Sequence, residues 1–216
     1  MQNSPSKRNT ICDTIGDMNA REPRVGEQRP GGRGERVRAA VLGAAAELLT
    51  EVGYDKMKIE DVATRAGVHK TTVYRRWPTK AELTADAAAL HSAEAVPIPD
   101  TGTLIEDLRL LAREVVVNIG TEAGSRRSRS IAAAAATSDE LAASMHGFWS
   151  HRLALSGEVV ERAIERGELP PTADANLMIE MVIGPLWLRL LLTGEPITEE
   201  VADRIVELVI AGALAP

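Results

Sequence analysis

Cysteine and aromatic side chains are scarce in this 216-residue sequence. A single cysteine, Cys12, excludes an internal disulfide framework and cysteine-based zinc sites. Aromatic residues make up only 3% of the chain, and the apolar remainder is mostly alanine, leucine and valine, which favours helices over a β-sandwich. Apolar runs are short as well, because Arg189 follows the run at 181–188, so no membrane span is expected. The first thirty residues contain no hydrophobic signal peptide, and we therefore expect a cytoplasmic protein.

Positive charge is unevenly distributed along the chain. The net charge is −6, but residues 1–90 contain 15 Lys and Arg against 12 Asp and Glu, whereas the rest contains 10 against 19. All the lysines lie in the first part, at Lys7, Lys56, Lys58, Lys70 and Lys80. This asymmetry indicates a small basic binding module attached to an acidic body.

The first segment of the chain is rich in glycine, proline and arginine and has no periodicity. We expect residues 1–33 to form a disordered arm. Its arginines could reach a phosphate backbone or a minor groove. The arm could equally be a solvated tail that touches nothing.

Helical spacing of apolar residues begins at about residue 36 and predicts about nine helices. Thr79 and Thr103 each open a predicted capping box, with Glu82 and Glu106 as their acidic partners. A proline-containing linker is predicted at 96–102, and no stretch alternates long enough to form a strand. We therefore expect an all-α protein with an N-terminal domain at 34–92 and a larger domain at 93–216. The predicted helices cover 36–52, 59–66, 70–77, 80–92, 104 to Gly120–Gly124, 131–136, 138–166, 173–193 and 198–212.

Residues 59–77 have the pattern of a helix-turn-helix. Ala63 is small enough for the second helix to cross close above it, and Gly67 can take the positive φ that the turn requires. The next short helix then exposes a polar, cationic face that could enter a major groove. Arg75 and Arg76 could instead form a solvated face. The polar face consists of His69, Lys70, Thr71, Thr72, Arg75 and Arg76.

Several segments together resemble the DNA-binding domain of the tetracycline-repressor (TetR) family of bacterial regulators. The resemblance covers residues 36–92 and rests on Gly53-Tyr54, Asp61-Val62-Ala63, Ala66-Gly67-Val68, Thr72-Val73-Tyr74 and the run from Trp77 to Leu83. It implies that the chain binds DNA through Lys70, Thr71, Thr72, Tyr74, Arg75 and Arg76, with a phosphate contact by Lys80.

Two positions depart from the usual pattern of the family. Lys58 stands where the family often has threonine, and His69 stands where it often has serine. Lys58 cannot cap its helix as threonine would, but it adds a cation that faces the DNA backbone, and both residues stay among the DNA-binding candidates. Trp77 is expected in the core, because it lies past the groove-facing turn.

The acidic remainder resembles the ligand-binding and dimerisation domain of the family in layout only. This layout implies a cavity for a small-molecule effector along the helix at 138–166, although the same residues would also suit an ordinary core. The last two helices carry broad apolar stripes, and in the family this pair packs against its copy. We therefore expect a homodimer, which would place two recognition helices about 34 Å apart. The candidate ligand-binding residues are Met145, Phe148, Trp149, Met178 and Met181.

Catalysis has little support in the sequence. His146 and His151 are five positions apart, which does not place them on one helix face, and no catalytic, metal-binding or phosphate-cradling motif is found. We expect no enzyme activity, no cofactor and no metal. The expected function is transcriptional regulation, with a repressor that an effector releases from a palindromic double-stranded DNA operator. An effector-independent architectural DNA-binding protein and an enzyme on a helical scaffold remain the alternatives.

Overall fold

A computed structural model describes residues 32–92 and 98–214 of the chain, without the side chains of residues 91 and 92. The described residues form helices and loops but no strand, which confirms the all-α prediction. The predicted arm lies outside the described residues up to position 31. The helices are α1 (Arg33–Glu51), α2 (Gly53–Lys56), α3 (Ile59–Arg65), α4 (Lys70–Arg76), α5 (Lys80–Ser92), α6 (Leu104–Ile119), α7 (Glu122–Ala135), α8 (Asp139–Glu165), α9 (Ala175–Leu188), which continues as a π-helical turn (Arg189–Thr193), and α10 (Glu199–Ala213).

The N-terminal helices follow the sequence prediction closely. Helices α3, α4 and α5 begin at the predicted residues, and Gly67 has the expected positive φ of 67° in the turn between α3 and α4. The hydroxyl of Thr79 accepts a hydrogen bond from the backbone N–H of Glu82 at 3.2 Å, as its predicted capping role requires. The short helix α2 was not predicted, because its four residues are too few to show a period.

Two apolar cores hold the described residues together. The first core is built from α1 to α5, but Ile131 and Ala134 of α7 and Leu141 of α8 are buried in it as well. The second core lies among α6, α8, α9 and α10. Helix α7 therefore packs into the N-terminal core although it belongs to the C-terminal part of the sequence.

The start of α6 differs from its prediction. Thr103 is the residue before the helix, but its side chain makes no capping hydrogen bond. Glu168 takes this role, because its carboxylate accepts a hydrogen bond from the backbone N–H of Leu104 at 2.8 Å. Glu106 pairs with Arg109 instead, at 2.8 Å. The predicted capping box at Thr103 is therefore wrong.

Helix α7 begins at Glu122, well before the predicted start at residue 131. The hydroxyl of Thr121 caps it by accepting a hydrogen bond from the backbone N–H of Gly124 at 3.1 Å. Gly124 therefore lies inside the first turn of α7 and does not end a helix. A Cβ atom at this position would lie 1.9 Å from the carbonyl oxygen of Asn118, so the close approach of two backbone segments explains the glycine.

The helical stretch Ala175–Thr193 is more apolar than expected. It has 19 residues and a mean hydropathy of 1.5, so by length and composition alone it could cross a membrane. Within the chain it packs against α8 and α10, but only 28% of its most apolar 18-residue segment is buried. The expectation that no segment reaches the length of a membrane span was therefore wrong on length and composition.

Candidate DNA interface and ligand cavity

The exposed side of α4 carries most of the predicted DNA-binding residues. Lys70, Thr71, Tyr74 and Arg75 lie on one side of the helix, because they are spaced by one, four and five positions, and all are exposed. Val73 points the other way and is fully buried. Val73 therefore packs α4 against the core and leaves its polar and cationic side exposed.

Lys58 and His69 lie at the starts of the two helices of the helix-turn-helix. Each is the residue before its helix, α3 or α4, and neither side chain makes a capping hydrogen bond. Both are exposed, and Thr72 is partly exposed. The structure therefore places these candidates beside the α4 face.

Tyr74 already has a hydrogen-bond partner within the chain. Its hydroxyl donates to a carboxylate oxygen of Glu60 at 3.0 Å. The pKa of Glu60 is lowered by a backbone hydrogen bond and by this hydroxyl, and the pKa of Tyr74 is raised by the same contact. A phosphate that took the Tyr74 hydroxyl would have to displace a negatively charged side chain.

Arg76 differs from the other cations of α4. Its guanidinium lies 5.5 Å from the ring centre of Trp77, since it shares the side of the helix on which Val73 and Trp77 lie. Trp77 is 4% exposed, which confirms its expected core position, and its Nε1 donates to Asp86 at 2.9 Å. Arg75 lies on the same side of α4 as Lys70, Thr71 and Tyr74, whereas Arg76, which is exposed as well, contacts the ring of Trp77.

Lys80 contacts the backbone of Tyr54, and no sequence pattern predicted this contact. Its Nζ donates to the carbonyl oxygen of Tyr54 at 3.0 Å and lies 4.1 Å from the centre of the Tyr54 ring. Burial raises the pKa of Tyr54, so the ring is a neutral cation–π acceptor. Lys80 is therefore fixed against α2, and its other two N–H groups are not used in this bond.

Ser130 of α7 contacts the same residue from the other side. Its hydroxyl oxygen accepts a hydrogen bond from the backbone N–H of Tyr54 at 2.7 Å. Gly53 has a φ of 79°, and a Cβ atom there would lie 2.9 Å from this oxygen. Sequence reasoning missed Ser130, because a serine in a run of serines and arginines gives no signal of a contact so far along the chain.

A cavity of about 170 Å³ lies among helices α5 to α9. Three of the five predicted ligand-binding residues, Met145, Phe148 and Trp149, line it. Phe148 and Trp149 have ring centres 5.0 Å apart, and Trp149 and Trp187 have ring centres 5.3 Å apart, both in edge-to-face geometry. These rings form an aromatic wall on one side of the cavity.

Met178 and Met181 are not among the described residues that line the cavity. On α9 the cavity is lined by Ile179, Val182, Ile183 and Trp187, which share one side of the helix. Met178 is buried in the C-terminal core, and Met181 is 49% exposed. The predicted pocket roles of these two methionines do not fit, because the helical turn directs them elsewhere.

Three charged residues line the cavity, namely Glu114, Arg127 and Arg152. Arg152 and Glu114 form a buried ion pair at 2.8 Å. Burial raises the pKa of Glu114 against the opposing effect of Arg152. Arg127 has no ion pair or hydrogen bond with any described residue, and burial lowers its pKa. An arginine stays protonated in proteins even so, and the cavity wall therefore carries one uncompensated positive charge.

Two further donors in the wall have no acceptor. Nη1 of Arg152 and Nε1 of Trp187 are buried, and neither has a hydrogen-bond partner in the described part of the chain. Unsatisfied buried donors are rare in folded proteins.

For metal binding, the described residues offer no group of three or more His, Cys, Asp or Glu side chains that could hold an ion.

Comparison with known proteins places both parts of the chain in one family. Residues 41–87 match the family of bacterial regulatory proteins of the TetR type, and residues 98–209 match the tetracyclin repressor-like C-terminal domain. The HTH-type transcriptional regulator AqdR of Rhodococcus erythropolis is 34% identical over 191 residues, which cover 88% of this chain and 92% of that protein.

Two further relatives agree with this result. The DNA-binding transcriptional repressor TetR of Mycobacteroides abscessus is 44% identical over 77 residues, or 35% of this chain and 40% of that protein. The crystal structure of the TetR family transcription regulator SCO0332 matches this chain with a TM-score of 0.70 and 31% sequence identity. The match covers 84% of this chain and all of that one. The chain therefore belongs to the TetR family of DNA-binding transcriptional regulators and is not an enzyme.

Proposed function

We propose that this regulator is a homodimeric, cytoplasmic repressor that a small molecule releases from a palindromic operator. Residues 34–92 are the DNA-binding domain in this proposal, and residues 93–216 are the ligand-binding and dimerisation domain. The observation that carries it is the position of α7, which lines the cavity and is also buried in the core of the N-terminal helices.

DNA recognition rests on the exposed face of α4. Arg75 and Lys70 can offer donors to guanine O6 and N7, which is worth about 1–3 kcal/mol of discrimination for a good bidentate contact. Thr71 and Lys80 suit phosphate oxygens, which position the protein without reading sequence. Lys80 is held by Tyr54, so its direction is fixed before DNA arrives.

Dimerisation rests on an apolar stripe of α9 and the π-helical turn. Leu177, Met181, Leu188 and Leu191 are each about half exposed. They recur with Gly184 at alternating steps of four and three, which is the heptad spacing of helices that pack along their length. A Cβ atom at Gly184 would have nothing within 4 Å, so a second helix can approach closely there. Leu208 of α10 is also exposed and can widen the interface.

Regulation rests on the contacts between the cavity and Lys80. Helix α7 lines the cavity with Arg127, Ser128 and Ile131, and Ser130 on the same helix holds the N–H of Tyr54. The carbonyl of Tyr54 in turn holds Lys80. A ligand that shifts α7 would therefore move Lys80 and weaken the phosphate contact. The free energy by which it weakens operator binding cannot exceed the ligand's preference for the shifted form of the protein.

Selection of bound sites from random double-stranded DNA tests the proposal. We expect a palindrome with half-sites about one helical turn apart, bound by a dimer and weakened several-fold by Arg75→Ala at one base position only. Lys80→Ala should weaken all sequences alike and reduce the salt dependence. No preference for any duplex would overturn the proposal, and binding that no small molecule releases would favour an architectural role.

A further inference from the structure

The volume of the cavity limits the size of its ligand. An engineered protein cavity of about 150 Å³ accepts benzene, whereas drug-sized ligands occupy about 300 Å³ or more. The cavity of about 170 Å³ in this chain therefore fits one aromatic ring with a small substituent. The edge-to-face cluster of Phe148, Trp149 and Trp187 supplies ring faces and edges that a flat aromatic ligand can continue.

The charge of the cavity limits the chemistry of the substituent. The Glu114 carboxylate is already matched by Arg152, so the charge of Arg127 is left without a counterion among the described residues. A half-buried cation without a partner is costly, and an anionic ligand would remove this cost. A cationic ligand would add a second unmatched charge.

The unpaired donors point to the same chemistry. Nη1 of Arg152 and Nε1 of Trp187 both need an acceptor, and both residues line the cavity. A carboxylate offers two acceptor oxygens with about four lone pairs, which is enough for Arg127 and these two donors. A neutral aromatic hydrocarbon would leave all three unsatisfied.

We infer that the effector of this regulator is a compact aromatic carboxylate, with its ring against Phe148, Trp149 and Trp187 and its carboxylate toward Arg127. This inference rests on the proposed function, because it names the ligand that the proposed cavity binds. The ligand class is that of benzoate, a single ring that carries one negative charge.

Titration of the full-length protein with matched probes tests this inference. Benzoate is compared with benzamide, which is aromatic but neutral, and with cyclohexanecarboxylate, which is anionic but not aromatic. Calorimetry gives the affinities, and tryptophan fluorescence, to which Trp77 also contributes, reports on Trp149 and Trp187. We expect benzoate to bind about tenfold more tightly than benzamide and at least about threefold more tightly than cyclohexanecarboxylate.

Two variants of α7 make the test specific. Arg127→Gln should weaken benzoate binding about tenfold and leave benzamide binding nearly unchanged. Arg129→Gln is the matched control, since Arg129 is exposed on the same helix, and it should change neither affinity. The thermal unfolding temperature of both variants shows that they are folded.

Three results would overturn the ligand class: equal binding of benzamide, equal binding of cyclohexanecarboxylate, or no binding of benzoate at millimolar concentration. Operator binding is measured in parallel, so that the two proposals fail separately. Release of the operator by a neutral aromatic compound would overturn only the ligand class. Tight benzoate binding by a protein that prefers no DNA sequence would overturn only the proposed function.

Discussion

The hydroxyl oxygen of Ser130 accepts a hydrogen bond of 2.7 Å from the backbone N–H of Tyr54, a residue 76 positions earlier in the chain. This bond joins α7, which lines the cavity, to α2, which lies between α1 and α3 of the DNA-binding part. The carbonyl of the same Tyr54 accepts a hydrogen bond from Lys80. The peptide segment at Tyr54 is thus held by the helix that lines the cavity and by Lys80, the proposed phosphate contact.

Substitution of Ser130 by alanine should uncouple the two sides. The N–H of Tyr54 would lose its acceptor, which costs about 1 kcal/mol of unfolding free energy. Operator affinity should become less sensitive to ligand, as measured by fluorescence anisotropy with and without ligand. Ser125→Ala is the matched control, since Ser125 lies on α7 and its side chain has no hydrogen bond with any described residue. Unchanged ligand sensitivity in Ser130→Ala would contradict the coupling role.

Substitution of Glu60 by glutamine should strengthen DNA binding. The change removes a negative charge beside the polar face of α4 but keeps an acceptor for the Tyr74 hydroxyl. We expect an affinity gain of about threefold at low salt that shrinks as ionic strength rises, because the effect is electrostatic. Glu122→Gln also removes an exposed negative charge, but from α7, and should have little effect. A gain that does not depend on salt would argue against the electrostatic explanation.

Substitution of Leu188 by arginine should break the dimer. The side chain lies on the apolar stripe of α9 and is half exposed in the single chain, so a charge there costs little in the monomer but would be buried unpaired in the dimer. Light scattering should show the monomer mass of 23.2 kDa, and operator affinity should fall strongly. Val117→Arg places the same charge at an exposed position of α6 and should leave the dimer intact. A dimeric Leu188→Arg protein would place the interface elsewhere.

Glu168 should contribute to the acid sensitivity of the fold. The Leu104 N–H and the Arg166 guanidinium lower the pKa of its carboxyl below the ordinary 4.5. Because the folded pKa is depressed, the stabilisation is present above about pH 4.5 and is lost as the pH falls through the folded value. Glu168→Ala should cost about 1 kcal/mol at neutral pH, as the loss of a helix cap does, and less at acid pH. Denaturant unfolding at several pH values measures this, with the exposed Glu165→Ala as control.

Two glycines should respond oppositely to alanine. Gly124→Ala should destabilise the protein by about 1–3 kcal/mol, because its Cβ would meet the Asn118 carbonyl at 1.9 Å. Gly147 lies in α8 with nothing within 4 Å of a Cβ atom, so Gly147→Ala should stabilise by about 0.5–1 kcal/mol. Thermal unfolding of both variants compares them, and a stabilising Gly124→Ala would mean that the α6–α7 connection can move apart freely.

Local signals were sufficient to predict helices α3, α4 and α5 of the DNA-binding part, but not the short helix α2. The structural roles of three residues depend on neighbours only a few positions away, and sequence patterns cover this distance. These residues are the turn glycine Gly67, the capping residue Thr79 and the buried Val73. The exposed cations of α4 follow from the same periodicity. Their hydrogen bonds do not, since Tyr74 reaches Glu60 and Lys80 reaches Tyr54 across a turn or another helix.

The predictions that failed depended on contacts between residues that are far apart in the sequence. The cap of α6 comes from Glu168, and the reason for Gly124 lies in a backbone oxygen of the preceding helix. Prediction of the residues that line the cavity would have required the orientation of α9 about its axis. This orientation directs Ile179 and Val182 toward the cavity and Met178 and Met181 away from it. The resemblance to the family placed a cavity along the helix at 138–166 and so indicated its aromatic side, but it gave no means to assign Arg127 or Ser130.

The burial of Ile131, Ala134 and Leu141 among the N-terminal helices has a consequence for protein engineering. A chimaera cut at the linker near residue 98 would separate these side chains from the surface that they fill and leave apolar patches on both halves. Joining the C-terminal helices of this chain to another DNA-binding domain would therefore require α7 and the first turn of α8 to stay with the N-terminal helices that they pack against, or the receiving surface to be redesigned to match them.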